Sequence, residues 1–441
     1  AQPSAPPLVH RPAQRRRARR PDPVVDVDVL RGGPAAAVLP AGAGERRVRV
    51  RVLRDGRPQS TFPVATSGAG ISRARLAAAL LDHLGPALLA PGTSWAHLEA
   101  AAADGPAPLE AALETARVHR APRLPDDVAV SVLMATRDRP ESLRRSLLAL
   151  LSDPGRDLAV VLVDNSADAS ATRRAVADLP AVRVVHEPWP GLSPARNAGL
   201  PLLTGDVVVL LDDDVVVTPG WLEELLAPFT DPAVGVVTGN VLPANLDRLD
   251  PQVFEDYGGL GRGPHRRGYD RAWLDAPRGP ARTWEIGATA NAAVRRDVLA
   301  GLGPFDEALG AGRPAGVGED TEYFYRVLRA GWRIAYQPTA VVLHHHRDDR
   351  AALRRQLRAY AAGHVAYHLQ VAARHGDLRG LGRVALRLPP QFARRCAGAV
   401  WGGDDYPLDV LGTEVAGTLA GPAAWWRSRR ELREAGRAVP E

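Results

Sequence analysis

From Val128 onward the chain alternates between short unbroken apolar runs and amphipathic stretches. The apolar runs "VAVSVLMAT", "LAVVLVDN", "AVRVVHE" and "DVVVLLDDD" have strand length and are rich in valine and leucine. Between them, "RPESLRRSLLALL", "SATRRAVADL" and "SPARNAGLPLL" repeat apolar positions at helical spacing. Continuous Val/Leu strands separated by amphipathic helices predict an α/β domain, a mostly parallel sheet with helices on both faces. Ligands of such sheets bind at the carboxyl ends of the strands. Here those ends carry Thr136-Arg137-Asp138, Asp164-Asn165, Glu187 and Asp212-Asp213-Asp214. Polar residues at several successive strand ends are harder to explain as packing than any one alone.

The pattern differs on either side of this domain, which is placed at residues 122–346. Residues 1–23 are rich in Pro and Arg and read as a solvated tail. Residues 24–120 read as a small α+β domain. "VVDVDVL" alternates with period two, and "RRVRVRVLRDGRPQSTFPVA" reads as two strands around Asp55-Gly56. The stretch after Ile71 has helical periodicity, and His83, His97 and His119 read as surface or core residues. Residues 347–441 predict a helical extension that opens with a long basic helix. Near its end stand Trp425-Trp426 and Arg427, Arg429 and Arg430. That pairing fits either an interfacial anchor or a helix packed on the domain with both tryptophans in its core.

Composition narrows the chemistry. The 441 residues carry net charge +6, and every basic side chain is arginine. Without lysine there is no P-loop, no kinase strand lysine and no pyridoxal Schiff base. A single cysteine, Cys396, allows no internal disulfide and no thiolate metal cage. The opening residues lack the apolar core of a signal peptide, and no window reaches ~18 uncharged apolar residues. These features fit a cytoplasmic protein. A G-x-G-x-x-G after the first strand is missing, which disfavours a dinucleotide-binding domain.

Three clusters carry candidate chemistry. Asp212 and Asp214, at i and i+2 on extended chain, point the same way and could share one ligand, with Asp213 turned aside. A hard divalent cation, Mg²⁺ or Mn²⁺, would cancel their repulsion and hold a diphosphate. The plain alternative is an acidic loop before the helix start "TPGWLEELL". Glu319 and Asp320 open a helix behind "GAGRPAGVG". They are either ordinary first-turn acids or a general base at a Gly-lined pocket. His344, His345 and His346 close a strand-like segment. They are either loosely metal-affine or one of them completes a metal site.

Together these segments support a resemblance. "SVLMATRDRPESLRRSLLALL", "VVLVDNS", "GLSPARNAGL", "VVLLDDDVVVTPGWL", "GATANAAVRRDVLAGLGPFDE" and "GVGEDTEYFYRVLRAGWRIAYQPTAVVLHH" stand in order between about Val130 and Gly363. This resembles the inverting family 2 glycosyltransferases of GT-A fold, here of a bacterial type with an N-terminal accessory domain. The resemblance implies transfer of a sugar from a nucleoside-diphosphate donor to a hydroxyl acceptor, which would be a glycan, a lipid-linked molecule or a small molecule. It implies envelope, glycolipid or secondary glycan biosynthesis and a divalent metal, Mn²⁺ or Mg²⁺. Thr136 and Asp138 would contact the nucleobase, and Asp164 its edge. Arg196, Asn197 and Asp213 would line the nucleotide pocket, with Asn291 near the sugar or acceptor. Asp212 would lie near ribose and metal, and Asp214 would bind the metal directly. His344 would complete the metal site, with His346 as the alternate. Asp320 would be the catalytic base, with Glu319 the second candidate. The insertion "NLDRLDPQVFEDYGGLGRGPHRRGYDRAWLDAPRGPARTW" would cover the acceptor site. Trp284 or Trp273 would stack there on a sugar or else belong to the core. Peripheral contact with anionic membrane fits the Trp/Arg segment, and no specific nucleic-acid partner is expected. The competing readings are a nucleotidyltransferase, which "TRDRPESL" disfavours by lacking loop glycines, and a non-catalytic nucleotide-sugar- or glycan-binding relative.

Overall fold

The computed structural model describes residues 20–28, 47–54 and 56–66, shorter stretches between 71 and 112, and residues 123–439 apart from 153–155, 277–278 and 402–405. Residues 1–19 of the arginine-rich tail, Asp55, His119 and most of the helix expected after Ile71 lie outside the described residues.

The four apolar runs form strands β4 (Val130–Thr136), β5 (Leu158–Asp164), β6 (Val182–His186) and β7 (Val207–Asp212). They pair in parallel in the order β7-β4-β5-β6. Alternate residues of β4 and β7 enter two different cores. Val132, Met134, Val209 and Leu211 pack with Leu143, Leu147 and Leu150 of helix α1 (Pro140–Leu151). Leu133, Val208 and Leu210 pack on the opposite face with Phe324, Val327 and Leu328. Burial on both faces is why these strands read as continuous apolar runs rather than as alternation. Each leucine of α1 removed from water contributes about 2 kcal/mol.

The sheet continues beyond the four runs. β11 (Asn291–Arg295) pairs antiparallel with both β7 and β9 (Val234–Pro243). β12 (Arg333–His344) runs parallel to β9. The short β8 (Val215–Val217) and β10 (Arg267–Tyr269) pair antiparallel with β12. The β8–β12 register sets His344 opposite Val215, so the histidine run lies beside the aspartate triplet. The insertion expected as a covering loop has structure of its own, including helix α4 (Leu249–Tyr257) and β10.

Three other helices shape the site. α2 (Leu192–Gly199) follows β6, and α3 (Trp221–Leu226) follows β8. α5 (Glu319–Arg329) starts at Gly318, whose φ of 117° is one that side-chain-bearing residues rarely adopt. Its first turn holds Glu319, Asp320 and Glu322 and its last holds Arg326 and Arg329, matching the helix dipole. The C-terminal extension consists mainly of α6 (Arg350–His375), α7 (Leu388–Trp401) and α8 (Leu408–Glu434). α6 and α8 approach so closely that a Cβ on Gly421 would lie 2.5 Å from that of Val365. The two tryptophans of α8 separate. Trp425 donates through Nε1 to Gln370 of α6, whereas Trp426 is 55% exposed. Among the described residues no helix is long and apolar enough to cross a membrane.

The N-terminal strands β1 (Val24–Asp28), β2 (Arg47–Arg54) and β3 (Arg57–Ala65) form a separate three-stranded sheet. It docks on α4. Asp22 and Gln252 exchange two hydrogen bonds of 2.7 Å, and the buried Arg49 pairs with Asp256.

Candidate functional site

A cavity of about 1120 Å³ opens over the carboxyl ends of β4 and β7. Its walls come from the glycine-rich segment before α5, the start of α5, the insertion around Tyr257–Arg262, and helices α6, α7 and α8. The volume suits a nucleotide-sized ligand with room for a second molecule.

The aspartate triplet sits where β7 ends and turns into β8, so the extended i, i+2 geometry stops at Asp212. The three carboxylates differ in their partners, with Arg139 Nη1 shared by Asp213 and Asp214. Asp212 accepts from Arg196 at 3.1 Å. Asp213 is buried and accepts from the Thr136 hydroxyl at 2.6 Å, while its carbonyl accepts from Ser146. Asp214 faces Arg139 Nη1 at 2.9 Å and His344 Nε2 at 3.3 Å. Burial pushes Asp213 up to about 6, with the Asp214 charge adding to it. Burial likewise raises Asp212, against Arg196. Burial also acts to raise Asp214, but the imidazole of His344 and the Arg139 guanidinium hold it below the usual carboxylate range. Of the three, Asp214 is the carboxylate most favoured in its charged form.

A hydrogen-bonded chain runs away from Asp214. His344 Nδ1 meets His346 Nδ1 at 2.7 Å, and His346 Nε2 meets Glu255 Oε1 at 2.7 Å. A carboxylate only accepts, so His346 donates from Nε2. Burial lowers His346, which leaves it neutral with a lone pair on Nδ1. His344 then donates from Nδ1, and its Nε2 faces Asp214 Oδ1 at 3.3 Å. Asp214 Oδ1 is itself buried without a hydrogen-bond donor. Either a proton or a cation can sit between these two atoms. Burial opposes a proton on His344, yet the Asp214 carboxylate raises its affinity for one. A divalent cation would satisfy both atoms, so the residues fit a metal. Carboxylate with imidazole suits Mn²⁺. Among the described residues no three His, Cys, Asp or Glu side chains converge as a metal-holding group. Such cations are commonly held by one or two protein groups plus substrate phosphates.

Across the cavity, Arg196 spans Asp212 and Glu319, at 3.1 Å from each. Burial, with Asp320 adjacent, pushes Glu319 up to about 7 despite Arg196. Glu319 Oε2 also accepts from the Gly318 N–H, so this carboxyl is committed to the protein. Asp320 is half-buried at the cavity wall, where one oxygen accepts from Thr321.

Thr136, Arg196, Asp212, Asp213, Asp214, Glu319, Asp320 and His344 thus share one cavity. Four candidates do not line it. Asp164 is fully buried beside it, with Oδ1 accepting from Ser166 N and Oδ2 without a partner. Asp138 has φ 56° and a largely exposed side chain. Asn197 is spent on the backbone of Phe305 and on Glu307. Asn291 lies beneath the sheet end, bonded to Trp221 Nε1, Asn240 O and Ala340 O. Both of its amide hydrogens and one lone pair of its oxygen are used inside the fold. Trp284 lines the cavity, whereas Trp273 packs edge-on against Tyr269. Arg139 and Glu255 went unnoticed in the sequence. The first stands within "TRDRP", next to the expected base contacts. The second lies in the insertion, where no local pattern marks it.

Residues 131–300 match the sequence profile of Glycosyl transferase family 2. The succinoglycan biosynthesis protein ExoM of Rhizobium meliloti is 31% identical over 266 residues, 58% of this chain and 80% of that protein. The chain belongs to the family 2 glycosyltransferases. Another similar relative is the pre-mycofactocin glycosyltransferase of Mycobacterium tuberculosis, 30% identical over 330 residues. The match spans 68% of this family 2 chain but only 64% of that relative's length. Among solved structures, the mannosyltransferase PcManGT from Pyrobaculum calidifontis, in complex with GDP-Man and Mn²⁺, aligns with TM-score 0.48 and 20% identity over 68% of this chain and 90% of its own.

Proposed function

We propose that this family 2 chain transfers a sugar from a nucleoside-diphosphate sugar to a hydroxyl acceptor, with inversion at the anomeric carbon and with a divalent metal. The observation that supports the proposal is the 3.3 Å approach of His344 Nε2 to the buried Asp214 Oδ1, in one cavity with Asp320. Asp214 and His344 would hold the metal, with Asp212 beside it. When bound, that cation supplies positive charge to the departing diphosphate.

The chain's own residues supply the rest. Arg139 neutralises the metal-side carboxylates, and Arg196 keeps Asp212 and Glu319 in place. Asp164, buried beside the cavity with Oδ2 unpartnered, backs the nucleotide side rather than lining it. Asp320 accepts the proton of the acceptor hydroxyl as its oxygen attacks the anomeric carbon from the face opposite the diphosphate. A single displacement of this kind inverts the centre. Glu319, tied to Arg196 and Gly318, serves as support rather than as base.

The acceptor enters between the insertion and helices α6 and α7, where Trp284, Tyr360 and Phe392 offer flat or apolar walls. The relatives' names suggest two acceptor classes to try first, pre-mycofactocin and a growing polysaccharide. A panel of nucleotide sugars, read by diphosphate release with Mn²⁺, Mg²⁺ or chelator, tests the proposal. One donor should be turned over with Mn²⁺ and lost on chelation. Release that is indifferent to chelator, or none from any donor with either acceptor class, would refute it.

A further inference from the structure

Glu255 contributes nothing to the cavity wall, yet it ends the chain of contacts that begins at Asp214. Its carboxylate determines which nitrogen of His346 carries the hydrogen, and through it which nitrogen of His344 is free. Without that acceptor, His346 can change tautomer, and His344 can turn its N–H toward Asp214. The position of Glu255 is itself constrained. Gly259 folds back over it with φ 50°, and a Cβ there would sit 2.7 Å from both carboxylate oxygens. Phe254 packs edge-on against His346, with ring centroids 4.8 Å apart.

Helix α4, which carries Glu255, is also gripped by the N-terminal sheet. Gln252 and Asp256, at i and i+4, share the face that meets Asp22 and Arg49. Arg49 also donates to the Gln252 carbonyl. Its side chain is only 3% exposed, so this ion pair is buried and geometrically demanding. The sheet and the metal-side histidines thus both hold the same nine-residue helix, through neighbouring positions.

We infer that Glu255 is a positioning residue that sets His344 for metal binding, and that the N-terminal sheet acts on the site by fixing α4 through Arg49. This rests on the metal reading above and assigns a task to a part of the chain that otherwise touches no chemistry.

The test is calorimetric titration of Mn²⁺ into the full chain without donor, alongside the Mn²⁺ dependence of turnover. Outer partners of metal-bound histidines typically contribute ~10–100-fold to affinity. Glu255→Leu should weaken Mn²⁺ binding by that factor and raise the Mn²⁺ concentration for half-maximal turnover, while kcat at saturating Mn²⁺ recovers. Glu255→Gln keeps an oxygen acceptor for the same N–H and should retain wild-type affinity. Arg49→Met should weaken Mn²⁺ binding in the same direction by less. Arg51→Met, whose partner Asp26 lies within the sheet, should leave it unchanged. A folded Glu255→Leu chain that binds Mn²⁺ as the wild type does would overturn the positioning role. If Glu255→Leu fails to fold, unchanged binding in Arg49→Met overturns the coupling. A wild-type chain that binds no Mn²⁺ overturns the metal reading instead, and shows this before any variant is made.

Discussion

Replacing Asn291 with Ala separates a fold role from a ligand role at a residue that sequence pattern places near the sugar. Its amide bridges strands where their register breaks. The β9–β12 pairing slips between Gln337 and Val341, and Asn291 Nδ2 donates across that gap to Asn240 O and Ala340 O at 2.9 and 2.8 Å. Its Oδ1 accepts from the buried Trp221 indole at 2.8 Å. Gly239 makes room, since a Cβ there would lie 2.3 Å from Nδ2. Removing three buried hydrogen bonds at about 1–1.5 kcal/mol each gives a loss of about 3–5 kcal/mol. With an unfolding entropy near 0.6 kcal/mol/K for roughly 300 residues, Tm should fall by about 5–8 °C. Asn291→Asp should fall further, because a carboxylate oxygen would face two carbonyls. Differential scanning fluorimetry and donor KM on the folded fraction measure both roles. An unchanged Tm with a large rise in donor KM would refute this reasoning and return Asn291 to the sugar.

Three further outcomes are expected. Asp214→Ala should lose Mn²⁺-dependent donor binding by calorimetry. His368 is buried and pushed down to about 3 by burial, so the unfolded chain binds its proton below about 6.5 while the folded chain does not. Its contribution is therefore present above that value and lost as pH falls. The stability advantage of wild type over His368→Leu should shrink by about 2 kcal/mol between pH 7 and pH 5 in denaturant titrations, and a constant difference would reject it. The exposed Trp426, beside Arg430, should support salt-sensitive binding to anionic vesicles. Equal co-sedimentation of Trp426→Ser would exclude that contact.

The sheet half made of β4 to β7 was legible because burial on both faces leaves an uninterrupted Val/Leu run, and the strand ends then follow. The aspartate triplet and Glu319-Asp320 stood out because acids at those positions oppose their apolar surroundings. What stayed hidden depends on pairs distant in sequence. That His344 and not His346 faces Asp214 goes with the contact of His346 to Glu255, 91 residues away, and nothing local to "LHHHR" marks that carboxylate. Asn197 and Asn291 looked like ligand groups because a sequence shows the amide but not the carbonyls around it. The two tryptophans of α8 share a composition but not an environment, since a helix turns adjacent side chains to different faces.

The central claim, a metal-held donor with Asp320 as base, is tested most directly by Asp320→Asn with the identified donor and Mn²⁺. Donor affinity should stay at the wild-type value while sugar transfer falls by ~10²–10⁴-fold or more, as loss of a general base requires. Transfer at a near-wild-type rate, or loss of donor binding together with transfer, would contradict the account.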